Sequence, residues 1–279
     1  MDQSERQSLR KLAIVPALNE EEMVGRVVRD IKRQAPDFDV VVVDDGSVDA
    51  TALRAHEAGA FVIRHPFNLG IGGAMQSGYK FAARGGYDVA VQIDGDGQHK
   101  PEYIDPMLYE LRTGSEAEMV IGSRFRDDPG YRVPIGRRAG NLVFALVLTT
   151  ILRQRITDPT SGLRMTDRKG IELFARDYPH DYPEVEAILM CHHHKLTIHE
   201  VPAKMNARGF GTSSIDYPRS AYYMVKVLLA ILVGLMRRTA IPAETLAHEQ
   251  VRSGPVTSAA SSSSDTGEIE AITASSARR

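Results

Sequence analysis

Residues Tyr87 to Pro101 read Y-D-V-A-V-Q-I-D-G-D-G-Q-H-K-P. The first half, Tyr87 to Ile93, is a short apolar run of the kind a buried strand makes. The second half is a glycine-bearing loop that opens on Asp94 and Asp96. Two carboxylates one residue apart, where a strand passes into a loop, suit a hard divalent cation such as Mg²⁺ or Mn²⁺. Such an ion keeps coordination places for phosphate and water. Gly95 and Gly97 let the backbone come close to a bulky ligand, and Gln98 offers a neutral oxygen. A polar turn after a strand uses the same residue types, so the decision between the two rests on the rest of the chain.

On the amino-terminal side, strand-like and helix-like stretches alternate. Leu12 to Val15 is a strand. Asn19 stands as a helix N-cap with Glu22 three residues on, as in a capping box. Val24, Val27, Val28 and Ile31 then form one apolar helical face. Phe38 to Val43 is a strand that ends in Asp44-Asp45-Gly46-Ser47. Asp49 caps a helix running to Ala58, with Gly59 at its end, and Ala60 to Arg64 is a third strand. The loop Asn68-Leu69-Gly70-Ile71-Gly72-Gly73 opens a helix through Ala83. After the Tyr87 to Ile93 strand, Pro101 starts another helix at a favoured first-turn position, and Met119 to Ile121 is a fifth strand. This alternation predicts an α/β fold, a mostly parallel sheet with helices on both faces. In such sheets ligands sit beyond the carboxyl ends of the strands. The polar clusters Pro16 to Glu20, Asp44 to Ser47, Asp94 to Gln98 and Ser123-Arg124 all fall at those ends.

Beyond Arg124 the pattern loosens. Arg126 to Arg138 reads as a long loop, Leu142 to Leu152 as an apolar helix and Asp158 to Arg164 as a turn. Glu184 to Leu196 reads as a helix, Thr197 to Val201 as a strand and Ala207 to Ser214 as a flexible loop. Ala221 to Met236 is apolar but interrupted by Lys226 and shorter than the roughly 20 residues a spanning helix needs. It reads either as an interfacial helix with a basic end, Arg237-Arg238, or as a core or dimer helix. The expected organisation is a polar arm over 1–10, one sheet domain over 11–215, the apolar helix within 216–240 and a disordered Ser/Ala-rich tail over 241–279.

The chain has 279 residues and a net charge of −2, which gives no global signature for nucleic-acid binding. Its single cysteine, Cys191, excludes an intrachain disulfide, fits a reducing compartment, and reads as a buried structural thiol. The polar residues 1–10 lack the apolar centre of a signal peptide. His192-His193-His194 point about 100° apart on a helix and cannot converge on one ion. Arg132, Arg137 and Arg138 form a basic set that suits either anionic lipid or a solvated loop.

A cation at Asp94 and Asp96 needs an anionic partner, and a nucleoside diphosphate supplies one. The ion would neutralise charge building on the leaving diphosphate. Asp45 can accept a hydrogen bond from a base N–H. Arg124 can pair with phosphate oxygens, and Arg208, flanked by Gly209 and Gly211, can close over them.

In its ordered motifs the chain resembles family 2 glycosyltransferases of the GT-A fold, in the branch of dolichol-phosphate mannose synthases and bacterial polyprenyl-phosphate glycosyltransferases. The resemblance covers roughly Lys11 to Ser214. It rests on I-V-P-A-L-N-E (Ile14 to Glu20), V-V-D-D-G-S-V-D-A-T (Val42 to Thr51), N-L-G-I-G-G-A (Asn68 to Ala74) and Q-I-D-G-D-G-Q-H-K-P (Gln92 to Pro101). It continues with I-G-S-R (Ile121 to Arg124), D-P-T-S-G-L-R (Asp158 to Arg164), E-A-I-L (Glu186 to Leu189) and E-V-P-A-K-M-N-A-R-G-F-G (Glu200 to Gly211). The resemblance implies that Pro16, Leu18, Glu20 and Asp45 contact base and ribose, with Gly70 and Gly73 packed beside the nucleotide. Asp94, Asp96 and Gln98 become the set for Mg²⁺ or Mn²⁺, Arg124 and Arg208 the phosphate-binding arginines, and Ser161 and Gly162 part of the acceptor side. It implies inversion at the anomeric carbon by direct displacement. A lipid phosphate acceptor is already anionic. A sugar hydroxyl would need a carboxylate base, for which Asp158 or Glu186 is a candidate.

Two departures from the family pattern bear on the acceptor. Gly211-Thr212-Ser213-Ser214 carries serine where lipid-phosphate members commonly have lysine, and the pair of C-terminal spanning helices of many bacterial relatives is missing. The expected partners are a nucleotide sugar and a polyprenyl phosphate or glycolipid, at the cytoplasmic face of a membrane, as a peripheral protein. A homo-oligomer or a small membrane-protein partner fits the apolar helices. A transferase acting on a sugar hydroxyl in polysaccharide assembly and a non-catalytic nucleotide-sugar-binding subunit remain as alternatives.

Overall fold

The computed structural model of the chain describes residues 9–113, 117–126, 135–180 and 182–206, together with Lys226 and Leu229; for 135–140 only the backbone is described. Its centre is a seven-stranded sheet in the order β3-β2-β1-β4-β6-β5-β7. The strands are β1 (Lys11–Ala17), β2 (Phe38–Asp44), β3 (Phe61–Arg64), β4 (Val89–Gln92), β5 (Met119–Ser123), β6 (Arg164–Asp167) and β7 (Ile198–Pro202). The helices are α1 (Val24–Gln34), α2 (Thr51–Glu57), α3 (Gly70–Arg84), α4 (Ile104–Thr113), α5 (Ile135–Leu152), α6 (Arg168–Arg176) and α7 (Pro183–His193), and a 3₁₀ turn at Pro101–Tyr103 leads into α4.

Both faces of the sheet are covered, which is why its strands are apolar on both sides. Leu12 and Ile14 of β1 and Val41 and Val43 of β2 face one core, which takes Met75 and Tyr79 from α3, Phe144 and Leu148 from α5, Phe174 from α6 and Ile188 from α7. Ala13, Val15, Val40 and Val42 face the other, with Val24, Val27, Val28 and Ile31 from α1 and Met107, Leu108 and Leu111 from α4. The apolar spacing of α1 expected from the sequence is the face that packs. Cys191 lies buried in the first core, and burial pushes its thiol up to about 12.

Strand order decides where the site falls. β1 pairs in parallel with β2 on one side and β4 on the other. The connections after β1 and β4 therefore leave in opposite directions and open a crevice between them. β6 runs antiparallel between β4 and β5. Its first residue, Arg164, pairs with Gln92 and Ile121 near the carboxyl ends of their strands, so the turn before it, Asp158 to Leu163, is carried to the same edge.

Local details depart from the sequence expectations. Asn19 does not cap α1. It adopts φ +54°, its Oδ1 accepts from Val48 N–H at 3.0 Å, and its own N–H donates to Ser47 Oγ at 2.9 Å. A turn on Glu20 O precedes the helix. The side-chain oxygen expected to cap a helix thus ties the loop after β1 to the loop after β2. β6 and α6 stand where only the end of a turn was read. α5 starts at Ile135, so the expected loop is shorter and Arg137 and Arg138 belong to a helix. Arg132, Arg208, the 207–214 loop, the 241–279 tail and most of 221–236 lie outside the described residues. Among the described residues no helix is long and apolar enough to cross a membrane.

Candidate active site

A cleft of about 310 Å³ lies in the crevice between β1 and β4. The expected Pro16, Leu18, Glu20, Asp45, Gly70, Asp94 and Asp96 all line it. Gly73 does not. A Cβ there would meet Leu69 Cβ at 2.6 Å, so its missing side chain makes room for the loop's own leucine. Gly70, at φ +81° with open space beside it, is the glycine at the cleft wall.

Asp45 is buried at the end of β2. Its Oδ1 accepts from Leu69 N–H at 2.9 Å and Oδ2 from Gly70 N–H at 2.8 Å, which anchors the loop that opens α3. Behind it, His65 Nδ1 lies 2.7 Å from Asp45 Oδ1, and His65 Nε2 lies 2.9 Å from Ser77 Oγ of α3. Neither His65 nor Ser77 was singled out from the sequence, because nothing in local spacing joins residues from β2, β3 and α3.

Asp94 and Asp96 share the cleft. Gln92 Nε2 donates to Asp94 Oδ1 at 3.2 Å. Asp94 N–H donates to His99 Nδ1 at 3.1 Å, which leaves the proton on Nε2, 3.6 Å from Asp94 Oδ2. Gln98 is turned inward. Its backbone N–H donates to Asp96 Oδ1 at 3.0 Å and its side-chain amide donates to Oδ2, so it braces Asp96. Among the described residues no three His, Cys, Asp or Glu side chains form a ready cation cage. Two hard carboxylates on an open cleft instead fit an ion that completes its shell with diphosphate oxygens and water.

The turn before β6 packs directly on this loop. A Cβ on Gly162 would stand 3.2 Å from Asp94 Oδ2 and 3.2 Å from His99 Cε1. Ser161, expected on the acceptor side, is fully buried and donates to Gly122 O at 2.6 Å. It fixes the turn and is out of a ligand's reach. Arg164 is buried below, with Nε donating to Ser161 O at 2.8 Å and Nη2 to Pro159 O at 3.0 Å.

Arg124 and Asp158 form a bidentate pair. Arg124 Nε reaches Asp158 Oδ2 and Nη2 reaches Oδ1, both at 2.7 Å, while the Arg124 backbone N–H donates to Oδ2 at 2.9 Å. Asp158 has no exposed surface. A carboxylate so enclosed cannot take a proton from an acceptor, so the geometry makes Asp158 a positioning residue for Arg124 instead of a base. Beneath it, the Glu200 carboxylate accepts from Thr157 N–H, Thr157 Oγ1 and Asp158 N–H at 2.8–3.0 Å. Burial raises the pKa of Glu200 against those hydrogen bonds.

Glu184 and Glu186 both lie in the first turn of α7. Two residues apart, their side chains diverge by about 200°. Burial raises the pKa of Glu184; Arg164 opposes the rise, Asp94 adds to it and Arg124 also opposes it. Glu184, two positions from the Glu186 read from the sequence, therefore shares a field with Asp94 and Arg124. The signal available was its place directly after Pro183 at a helix start.

Comparison with known proteins bears on the whole arrangement. Residues 12–174 match the model of the family described as glycosyl transferase family 2. The chain is 31% identical over 211 residues to UDP-N-acetylglucosamine–dolichyl-phosphate N-acetylglucosaminyltransferase of Methanococcus voltae, covering 68% of this chain and 83% of the relative. It is 29% identical to polyprenol monophosphomannose synthase of Mycolicibacterium smegmatis, covering 80% and 87%. Glucosyl-3-phosphoglycerate synthase from Mycobacterium tuberculosis, solved with Mn²⁺, uridine diphosphate and glucosyl-3-phosphoglycerate, superimposes with a TM-score of 0.65 at 22% identity, covering 83% of this chain and 81% of that one. At that identity the likeness concerns the fold.

Proposed function

We propose that this chain, which belongs to glycosyl transferase family 2, moves a sugar from a nucleoside diphosphate donor to a polyprenyl phosphate at a site organised by Asp94 and Asp96. The observation that carries the reading is the convergence of Pro16, Leu18, Glu20, Asp45 and Gly70 with both aspartates on one cleft at the β1/β4 switch. The polyprenyl phosphate acceptor is supported by the names of the relatives from Methanococcus voltae and Mycolicibacterium smegmatis.

Pro16 and Leu18 would pack against the base, Asp45 would accept from a base N–H, and Glu20 would hold the ribose. Asp94 and Asp96 would hold Mg²⁺ or Mn²⁺. When bound, that ion supplies Lewis-acid stabilisation of the departing diphosphate. Arg124, braced by Asp158, and Arg208 would add positive charge around the phosphates. An acceptor phosphate oxygen attacks the anomeric carbon as the bond to the donor diphosphate breaks, which inverts that centre. The nucleophile is anionic, so no side chain need take a proton.

The exposed ridge Leu142, Val143 and Leu146 on α5 supports peripheral contact with the membrane that holds such an acceptor; the face proposed is the cytoplasmic one. A second reading is transfer to a sugar hydroxyl, with Glu184, at the start of α7 and with its pKa raised by burial, as the general base.

The test is transfer from labelled UDP-, GDP- and dTDP-sugars to polyprenyl phosphate with Mn²⁺ or Mg²⁺. Lipid-linked product that disappears with Asp96→Ala supports the first reading. Product from a sugar acceptor alone, lost in Glu184→Gln, favours the second. Undiminished turnover by Asp96→Ala would sink both.

A further inference from the structure

We propose that His65 is a positioning residue for donor recognition, acting through Asp45. The inference rests on the reading of the β1/β4 cleft as the donor site. An ionised carboxylate has about four acceptor positions. On Asp45, Oδ1 receives His65 Nδ1 at 2.7 Å and Leu69 N–H at 2.9 Å, and Oδ2 receives Gly70 N–H at 2.8 Å. The remaining position belongs to Oδ2, on a residue that lines the cleft.

The partners of Asp45 are not equivalent. Leu69 and Gly70 are adjacent residues at the very start of α3, so both of their bonds tie Asp45 to a single turn. His65 stands on the sheet instead. It follows β3, and its N–H donates to Asp44 O at 2.9 Å. Its ring is held from the far side by Ser77 Oγ at 2.9 Å, on α3. Gly78, next to Ser77, presses on the β1 side chain Ile14, where an added Cβ would stand 2.3 Å from Ile14 Cγ2. The relay Ser77–His65–Asp45 thus references the carboxylate to the rigid layers of the fold. An acceptor-only carboxylate beside Nδ1 places a proton there, while Ser77 Oγ pairs with Nε2 on the other side of the ring. His65 is buried and does not line the cleft, so it acts only through Asp45. The ligand this arrangement recognises is a nucleoside diphosphate whose base presents an N–H to Oδ2.

The experiment measures binding of UDP, GDP and dTDP, each with Mn²⁺, to the full chain by calorimetry, and then donor KM and kcat for the nucleotide that binds. His65→Ala is expected to weaken binding and raise donor KM about tenfold, the loss of one charge-assisted bond, with kcat at saturating donor unchanged. His65→Asn, whose amide places an N–H near the Nδ1 position, is expected to recover most of the loss. His65→Gln, which reaches toward the Nε2 position, is not. Ser77→Ala should show a smaller rise in KM. Native protein that binds a nucleotide and a folded His65→Ala that binds it equally well would overturn this inference alone. So would a fall in kcat with KM unchanged, or equal affinities for the Asn and Gln variants, which also decide the case if His65→Ala does not fold. A native chain that binds none of the three diphosphates overturns the donor-site reading and this inference with it.

Discussion

Replacing Asp158 with asparagine should destabilise the protein far more than a surface substitution and should act through Arg124. The carboxylate accepts from Arg124 N–H, Nε and Nη2 at 2.7–2.9 Å. Its side chain has no exposed surface and that of Arg124 only 14%. An asparagine amide keeps the shape but sets an NH₂ group against guanidinium donors and removes the negative charge that Arg124 meets at 2.7 Å. Breaking a buried pair by removing one partner costs about 3–5 kcal/mol. Arg124 retains a little contact with solvent, so the lower end, about 3 kcal/mol, is expected. In a domain of this size that lowers the melting temperature by roughly 6–12 °C.

The assay is thermal and urea unfolding of the native chain, Asp158→Asn, Arg124→Met and the double variant. Residues in one ion pair should couple, and the double variant should cost less than the sum of the singles by about 2 kcal/mol. A melt within about 1 °C of native for Asp158→Asn, or singles that add without coupling, would refute the positioning role. So would an intact melt with turnover abolished, which is the signature of a base.

Three further outcomes follow from the same geometry. Gly162→Ala pushes against Asp94 Oδ2 and His99 Cε1 at 3.2 Å. A misplacement of a few tenths of an ångström should raise the Mn²⁺ concentration for half-maximal turnover about tenfold, with a nearly unchanged melt; unchanged metal dependence would count against Asp94 as a ligand. Glu184 has a native pKa above its unfolded value because of burial, so the folded state holds the extra proton. Its stabilising contribution is full below the unfolded value and is lost as pH rises through the native one. Melts of the native chain should therefore fall over that rise while Glu184→Gln declines less, and parallel pH profiles would contradict this. Leu142 and Leu146 are 68% and 67% exposed on one face of α5. Leu142→Glu with Leu146→Glu should cut sedimentation with polyprenyl-phosphate vesicles at least tenfold, since burying each leucine is worth about 1.5–3 kcal/mol; equal sedimentation would remove this face from membrane contact.

The alternating strands and helices up to Met119, the apolar face of α1 and the gathering of polar residues at strand ends were legible in the chain because they follow from local rules. Side-chain period distinguishes strand from helix, and parallel strands with two covered faces must be apolar throughout. Asp94 and Asp96 were legible for the same reason, as carboxylates at the end of an apolar run. β6 was not. Arg164 to Asp167 is short and carries no period of its own, and it becomes a strand because β4 and β5 offer their edges to it.

What each polar group does was decided only by tertiary contact. Asn19 looked like a cap and became a tie between loops. Gln98, read as a ligand for a cation, also braces Asp96. Asp158 looked available as a base and became the buried partner of Arg124, and Glu184, not singled out in the sequence, shares a field with Asp94 and Arg124. A sequence specifies which residue types are polar and which strand end they follow. Whether a carboxylate is open to a ligand depends on which other donors reach it and how much water remains, and those donors, Arg124 on Asp158 and His65 on Asp45, are residues that only the strand order brings to them.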